Sequence, residues 1–282
     1  MPELPEVEVL ARHLRPLLLG KIVRGVEVRR PKVLHPTTPK QLQHALTGAR
    51  FMALERRGKY LLFTLTSQAT RKSFTLLGHL GMTGRMFVGR QNVPLPKHAA
   101  VILKLNRGCF VYEDTRYFGR LTLDLASVEK LGPEPTAAEF STADFARRLK
   151  TSRQPIKVKL LDQSLVAGIG NIYASEALFR AGISPRLATR RLSATEVKTL
   201  HSAIRQVLTE AIDCGSTIPL NFGTGKSDGL FYFGQATTGE YYTERLQVYD
   251  RAGQPCIRCG AAIRRMVQAA RSTFYCPHCQ KK

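Results

Sequence analysis

Leu131-Gly132-Pro133-Glu134-Pro135 is where the chain changes character. One glycine and two prolines in five residues stop a helix or a central strand. Upstream, short apolar runs recur at 22–28, 51–54, 60–65, 73–77, 99–105, 109–112 and 121–125. Several alternate, as Leu121, Leu123 and Leu125 do against Thr122 and Asp124. Turn residues such as Gly58, Gly84 and Asn106-Arg107-Gly108 separate them. That spacing predicts an antiparallel sandwich or barrel. Downstream the period becomes helical. Ser141-x-x-Asp144 and Ser193-x-x-Glu196 read as capping boxes. Helices are expected over 156–163 and 171–181, the second ended by Gly182, and another from Ser193 with Val197, Leu200, Ile204, Val207, Leu208 and Ile212 on one face, stopping at Gly215. The fold class is α+β. Its expected parts are an N-terminal antiparallel β domain over 1–131, a helical domain over 132–245 and a cysteine-bearing tail over 246–282.

The chain has 43 Lys+Arg against 21 Asp+Glu in 282 residues, a net charge of +22. The bases are spread through the sequence, so the charge belongs to folded surface and points to a polyanionic partner, most simply nucleic acid. No long apolar run or signal-peptide pattern occurs, so a cytoplasmic location with no membrane partner is expected. Four of the six cysteines form Cys256-x2-Cys259-x16-Cys276-x2-Cys279. Two close pairs of thiolates suit a closed tetrahedral Zn²⁺ site, which is structural because no coordination position stays open. Cys109 and Cys214 are isolated and read as small buried hydrophobes.

Against this basic background, Pro2-Glu3-Leu4-Pro5-Glu6-Val7-Glu8 carries three carboxylates, and no base follows until Arg12. A helix start explains part of it: Pro5 suits the first turn, acids there favour the helix dipole, and Val7, Leu10, Leu14 and Leu17 form a stripe through about Leu18. Pro2 and Glu3 lie before that helix. With Met1 removed, Pro2 becomes a secondary amine of near-neutral pKa, able to attack an aldehyde carbon, with Glu3 placed to move protons. Gly168-Ile169-Gly170-Asn171 before a helix reads either as a tight turn capped by Asn171 or as an anion site suited to a DNA phosphate. Lys59 and Arg116 read as surface charges, and Met82 and Phe118 as core residues.

These stretches together resemble the formamidopyrimidine-DNA glycosylase family, bacterial base-excision repair enzymes for oxidised purines. The resemblance rests on the opening seven residues, Arg57-Gly58-Lys59-Tyr60, His79-Leu80-Gly81-Met82-Thr83-Gly84, Asp114-Thr115-Arg116-Tyr117-Phe118-Gly119, the segment 165–179 and Arg271-Ser272-Thr273-Phe274-Tyr275-Cys276 before the last cysteine pair. It implies a β-sandwich with flanking helices, a helix–two-turn–helix domain and a four-cysteine zinc finger, with double-stranded DNA containing a damaged base as partner and a monomeric chain. It also implies site roles. Pro2 would be the Schiff-base nucleophile, Glu3 the proton carrier and Glu6 its orienting neighbour. Lys59 would assist β-elimination and Arg271 the δ step. His98, Arg153, Lys157 and Asn171 would bind phosphates. Met82, Arg116 and Phe118 would fill the stack left by a flipped base, whose extrusion costs roughly a few kcal/mol.

Some positions depart from the family pattern. The family usually has a second arginine where Tyr117 stands, often has Lys-His-Asp-His where Lys97-His98-Ala99-Ala100 occurs, and has a shorter loop than 219–243. Two other readings stay open: an endonuclease VIII-like enzyme for oxidised pyrimidines, and a catalytically silent DNA-binding module.

Overall fold

The computed structural model describes residues 2–90, 94–215 and 245–281. The expectations for Met1 and for the loop 219–243 lie outside the described residues. The described chain forms two compact units, the first comprising Pro2 and Glu6–Glu129, the second Glu3–Pro5, 130–215 and 245–281.

In the first unit, helix α1 (Leu4–Leu18) is followed by β1 (Val23–Val28), α2 (Pro39–Leu46), β2 (Ala49–Arg57), β3 (Tyr60–Ser67), β4 (Ser73–His79), β5 (Gly84–Gly89), β6 (Ala99–Leu105), β7 (Cys109–Asp114), β8 (Arg120–Thr122) and α3 (Ala126–Glu129). The strands make two four-stranded antiparallel sheets, ordered β1-β6-β7-β5 and β2-β3-β4-β8. Phe51, Phe63 and Leu76 of one sheet and Val101, Leu103 and Phe110 of the other share a single core with Leu10 and Leu14 of α1 and Leu42 and Leu46 of α2. This is the expected sandwich with flanking helices.

Several details differ from the sequence expectation. The stripe of α1 runs through Val7, Leu10, Ala11, Leu14 and Leu18, leaving Leu17 36% exposed, because a 3.6-residue period carries the buried face from 14 to 18. The run 121–125 is a strand only to Thr122: the Leu123 amide donates to Thr37 Oγ1 at 2.9 Å, and the Asp124 carboxylate accepts from the Ala126 amide at the start of α3. Strand β5 was not legible. Its first residue, Gly84, read as a turn, and only Met86 on it is a fully buried apolar side chain. Helix α2 was missed too, although Thr38 and Gln41 form a complete capping box with Pro39 in the first turn.

The second unit holds α4 (Thr142–Lys150), α5 (Ile156–Leu160), α6 (Asn171–Arg180), α7 (Ala194–Asp213) and the hairpin β9 (Arg264–Gln268)–β10 (Arg271–Tyr275). Tyr173 and Leu178 of α6 and Leu200, Ile204 and Val207 of α7 build its main core, together with Leu4. Ser193 and Glu196 form the full capping box at α7. At α4 only half of the box exists: Ser141 caps the Asp144 amide, but the Asp144 carboxylate pairs with Arg147 and Arg148 instead. Helix α5 ends at Leu160, three residues before the expected end, because Asp162 turns the chain by binding the Ser164 amide and hydroxyl. Cys109 is buried as expected, whereas Cys214 is half-buried at the end of α7.

Ser193→Ala should cost about 1 kcal/mol, the usual worth of an N-cap side chain. A urea titration of the two proteins checks this through the shift in midpoint at unchanged slope.

Candidate functional site

In the second unit the site is built on the N-terminus of α6. The first amides of a helix have no intrahelical acceptor. Here the Glu3 carboxylate takes three amides, from Gly170 at 2.7 Å, Ile172 at 2.9 Å and Tyr173 at 3.4 Å. The Leu4 amide donates to the Gly168 carbonyl at 3.1 Å, locking the same segment from the backbone side. Glu3 is 1% exposed. Both readings of the Gly168–Asn171 turn are therefore corrected. The cap residue is Gly170, the cap is supplied by Glu3 from 167 positions away, and the anion at these amides is this carboxylate. The approach requires glycine: a Cβ on Gly170 would lie 2.3 Å from Glu3 Cδ, and one on Gly168 2.5 Å from Leu4 Cδ1. Gln163 holds the turn's shape, accepting from the Gly168 amide and donating to the Ile169 carbonyl.

Asn171 instead faces the β9–β10 hairpin. Its Nδ2 donates to the Ser272 carbonyl at 2.8 Å, and Lys157 Nζ bonds both Asn171 Oδ1 and that carbonyl. Lys157 is fully buried, and burial, reinforced by the Arg271 charge, holds its pKa down to about 8 although Glu3 opposes the shift. Lys157 and Asn171 thus share one carbonyl, with the Arg271 charge close enough to act on Lys157, while Arg153 lies exposed in the segment before α5. Arg271 follows a two-residue turn, Ala269-Ala270, with φ of 47° and 57°. This left-handed turn suits the twist of a hairpin.

The four cysteines meet beside that hairpin. Their Sγ atoms all lie within 4.8 Å of one another, with Cys256–Cys279 at 3.9 Å and Cys259–Cys276 at 3.5 Å. Tetrahedral thiolates at about 2.3 Å from zinc would stand about 3.8 Å apart, so the donors fit the ion. The Arg258 and Cys279 amides point at Cys256 and Cys276 sulfurs at 3.4 Å, supporting thiolate charge. One structural zinc ion is the cofactor of this site. Three contacts missed in the sequence dock the finger on α6 and the turn after it. Arg258 caps the α6 C-terminus through the Phe179 carbonyl and stacks on the Phe179 ring at 4.4 Å. Gln280 bridges the Cys276 amide and the Ile183 carbonyl. Glu176, 3% exposed, accepts from the Gln247, Val248 and Tyr249 amides, and burial raises its pKa against those bonds. Its sequence signal was an acid set beside the apolar run Ala177-Leu178-Phe179.

In the first unit, Lys59 sits in the tight turn between β2 and β3 and is 7% exposed, so it is no surface lysine. Burial, helped by the Lys59 and Arg120 charges and opposed by Asp114, pulls the His79 pKa down to about 4. His79 is accordingly neutral, and its Nδ1 accepts from the Gly81 amide at 3.1 Å. Glu6 is fully buried. Glu8 pairs with Arg56 and Arg12, whose charges outweigh burial and keep its pKa below the usual value. Met82 and Phe118 are 44% and 51% exposed, which overturns the core reading of both. Arg116 lies over the Phe118 ring at 4.7 Å. Tyr117 accepts from Arg30 Nε at 3.0 Å and lies 3.4 Å from His98 Nδ1.

A model of the formamidopyrimidine-DNA glycosylase N-terminal domain matches residues 1–121, one of the H2TH domain of the same enzymes matches 131–221, and one of the zinc finger found in FPG and IleRS matches 253–282. The chain belongs to the formamidopyrimidine-DNA glycosylase family. It is similar to the family members of Desulfitobacterium hafniense, 41% identical over 99% of this chain and 100% of the relative, and of Chloroflexus aurantiacus, 42% identical over 99% and 98%. The Lactococcus lactis FPG, solved in complex with a Fapy-dG containing DNA, is similar at 35% identity with a TM-score of 0.86, covering 99% of this chain and 100% of that one. Family membership makes the chain a DNA glycosylase of DNA repair with a zinc-finger module.

The finger contributes only five buried residues to its core, two of them cysteines, packed against Phe179 of α6, so it depends on its metal. Binding worth roughly 10–16 kcal/mol in zinc-finger peptides is lost with a ligand. Cys276→Ser should abolish zinc content and unfold the hairpin while the sandwich survives. Metal analysis together with proteolysis mapping checks this.

Proposed function

We propose that the chain is a bifunctional DNA glycosylase and abasic-site lyase that excises oxidised purines, 8-oxoguanine and formamidopyrimidines, from double-stranded DNA, acting as a monomer in the cytoplasm. The observation that carries the reading is the hold on Glu3. A carboxylate fixed by three amides, covalently next to Pro2, is a pre-organised proton carrier beside the nucleophile. The Pro2 amine attacks C1′ of the damaged nucleotide, the N-glycosidic bond breaks, and the base leaves as its freed nitrogen takes a proton from water. The proton released by the attacking Pro2 nitrogen passes through the Glu3 carboxylate to O4′ as the sugar ring opens, leaving an iminium between Pro2 and C1′. Glu6 helps to orient Glu3. The iminium acidifies C2′; loss of that proton expels the 3′ phosphate with assistance from Lys59, and a second elimination expels the 5′ phosphate with assistance from Arg271. Water then releases Pro2 from the remaining sugar fragment. Lys157, Asn171, Arg153 and His98 hold backbone phosphates, consistent with the net charge of +22. Met82, Arg116 and Phe118 enter the stack, and their exposure suits that task. Solved complexes of the Lactococcus lactis protein with Fapy-dG DNA and with abasic-site DNA support the substrate class, and one with oxidised-pyrimidine DNA makes that lesion the comparison to include.

Borohydride trapping on an 8-oxoguanine duplex tests the chemistry. Pro2→Gly leaves a primary amine and should retain part of the activity. Protein shown by mass to retain Met1 should form no trapped adduct, and undiminished trapping by such protein would exclude Pro2 as nucleophile. Faster excision of an oxidised pyrimidine than of 8-oxoguanine would favour the endonuclease VIII-like reading.

The wedge and the chemistry separate on two substrates. Met82→Ala/Phe118→Ala should slow excision of 8-oxoguanine strongly, yet slow cleavage at a pre-formed abasic site much less, because no base remains to extrude. Lys59→Ala should slow both. Single-turnover rates measure the difference, and equal losses on both substrates for the double variant would assign Met82 and Phe118 to general binding or to the fold.

A further inference from the structure

Asp114 closes β7 and is 0% exposed. Four donors converge on its carboxylate. Oδ1 accepts from Thr83 Oγ1 at 2.6 Å and from the Arg116 amide at 3.1 Å, while Oδ2 accepts from the Gly119 amide at 2.9 Å and from the Tyr112 hydroxyl at 3.3 Å. Two of these donors lie in the segment that carries Arg116 and Phe118, and one is the immediate neighbour of Met82. Thr83 and Arg116 are 31 and 2 positions from Asp114, so the carboxylate joins a distant loop to its own. The Asp114 amide in turn donates to the His98 carbonyl at 3.1 Å.

The two loops also touch backbone to backbone. A Cβ on Gly81, at φ +61°, would stand 2.5 Å from the Gly119 nitrogen, and one on Gly119 would stand 2.0 Å from the Tyr112 hydroxyl. Nothing larger than hydrogen fits at either point. Beside them, neutral His79 accepts from the Gly81 amide. Loops are ordinarily the mobile part of a fold. Here a charged acceptor with four donors and a glycine–glycine contact turn two of them into one body, with Met82, Arg116 and Phe118 as its exposed side chains.

We propose that Asp114 is the positioning residue of the base-flipping wedge, holding the loop of Met82 and the loop of Arg116 and Phe118 as a single pre-organised unit. The proposal rests on the wedge role given to those three side chains above. Inserting side chains into a duplex takes less when they are already ordered, since the entropy of ordering is spent in folding. Asp114 touches neither base nor sugar and acts only through the wedge.

The test compares wild type with Asp114→Asn, Thr83→Val and Thr83→Ser on an 8-oxoguanine duplex and on a pre-formed abasic site. An asparagine amide cannot accept all four bonds, and hydrogen bonds to charged groups are strong enough for about a tenfold or larger effect. Asp114→Asn should slow excision by about that factor and leave abasic-site cleavage within about threefold. Thr83→Val should follow in the same direction, and Thr83→Ser, which keeps the hydroxyl, should restore wild-type excision. In the Met82→Ala/Arg116→Ala/Phe118→Ala background, Asp114→Asn should add no further loss, because the residue acts through side chains already gone. A readout independent of activity is the Met82 methyl resonance in ¹³C-methionine-labelled protein, which should broaden in Asp114→Asn while Met52 stays unchanged. Equal losses on both substrates, a full additional loss without the wedge, or an unchanged Met82 resonance would overturn the proposal. Absence of lesion excision in the wild type would overturn the enzymatic reading itself, and the Met82 resonance would still decide the positioning role.

Discussion

Three amides at the start of α6 need an acceptor, and Glu3 supplies it. A helix end left bare in a buried site is costly, since each unpaired amide forfeits roughly 1–3 kcal/mol. The carboxylate satisfies three at once and adds a favourable charge at the positive end of the helix. The same bonds occupy the amides of that helix end, while the Asn171 side chain binds the Ser272 carbonyl of the hairpin. Gly168 and Gly170 have no side chain because the Glu3–Leu4 segment occupies the space. One interaction therefore dictates a glycine pair and fixes the Glu3 carboxylate at the head of α6.

The second unit repeats this logic along α6. Glu3 caps its beginning, Glu176 in its middle collects the amides of 247–249, and Arg258 caps its end. Each contact joins the helix to a segment distant in sequence. The zinc knuckle is thereby docked through charge-assisted bonds to backbone, which are directional, and its small apolar core needs only to exclude water. Lys157 belongs to the same arrangement. Its depressed pKa records the cost of burying an ammonium beside Arg271, a cost that a phosphate at this place would relieve.

The first unit uses a buried acid in the same way. Asp114 organises two loops as Glu3 organises a helix end, and in both cases a glycine permits the approach. Met82 and Phe118 are left exposed on the loops so joined. A single exposed phenylalanine needs no explanation, but Phe118 lies under the Arg116 guanidinium, and Met82 is on the loop tied to the same carboxylate.

What the sequence determined was whatever is written locally. The break at 131–135, the alternation of the strands, the Ser193–Glu196 box and the Cys-x-x-Cys pairs each specify their structure within a few residues, because turn chemistry, side-chain period and metal spacing act at short range. Strand β5, carrying one fully buried apolar side chain between two glycines, offered too little local signal. Tertiary structure alone decided the rest. That Glu3 caps α6, that Lys59 is buried, that Met82 and Phe118 are exposed, and that Asp114 joins two loops are facts about partners 31 to 167 positions away or about solvent access. A residue's type fixes which bonds it can make, but only the folded chain brings the donor to it, and so only the fold decides which carboxylate becomes a cap, which a hub and which a surface charge.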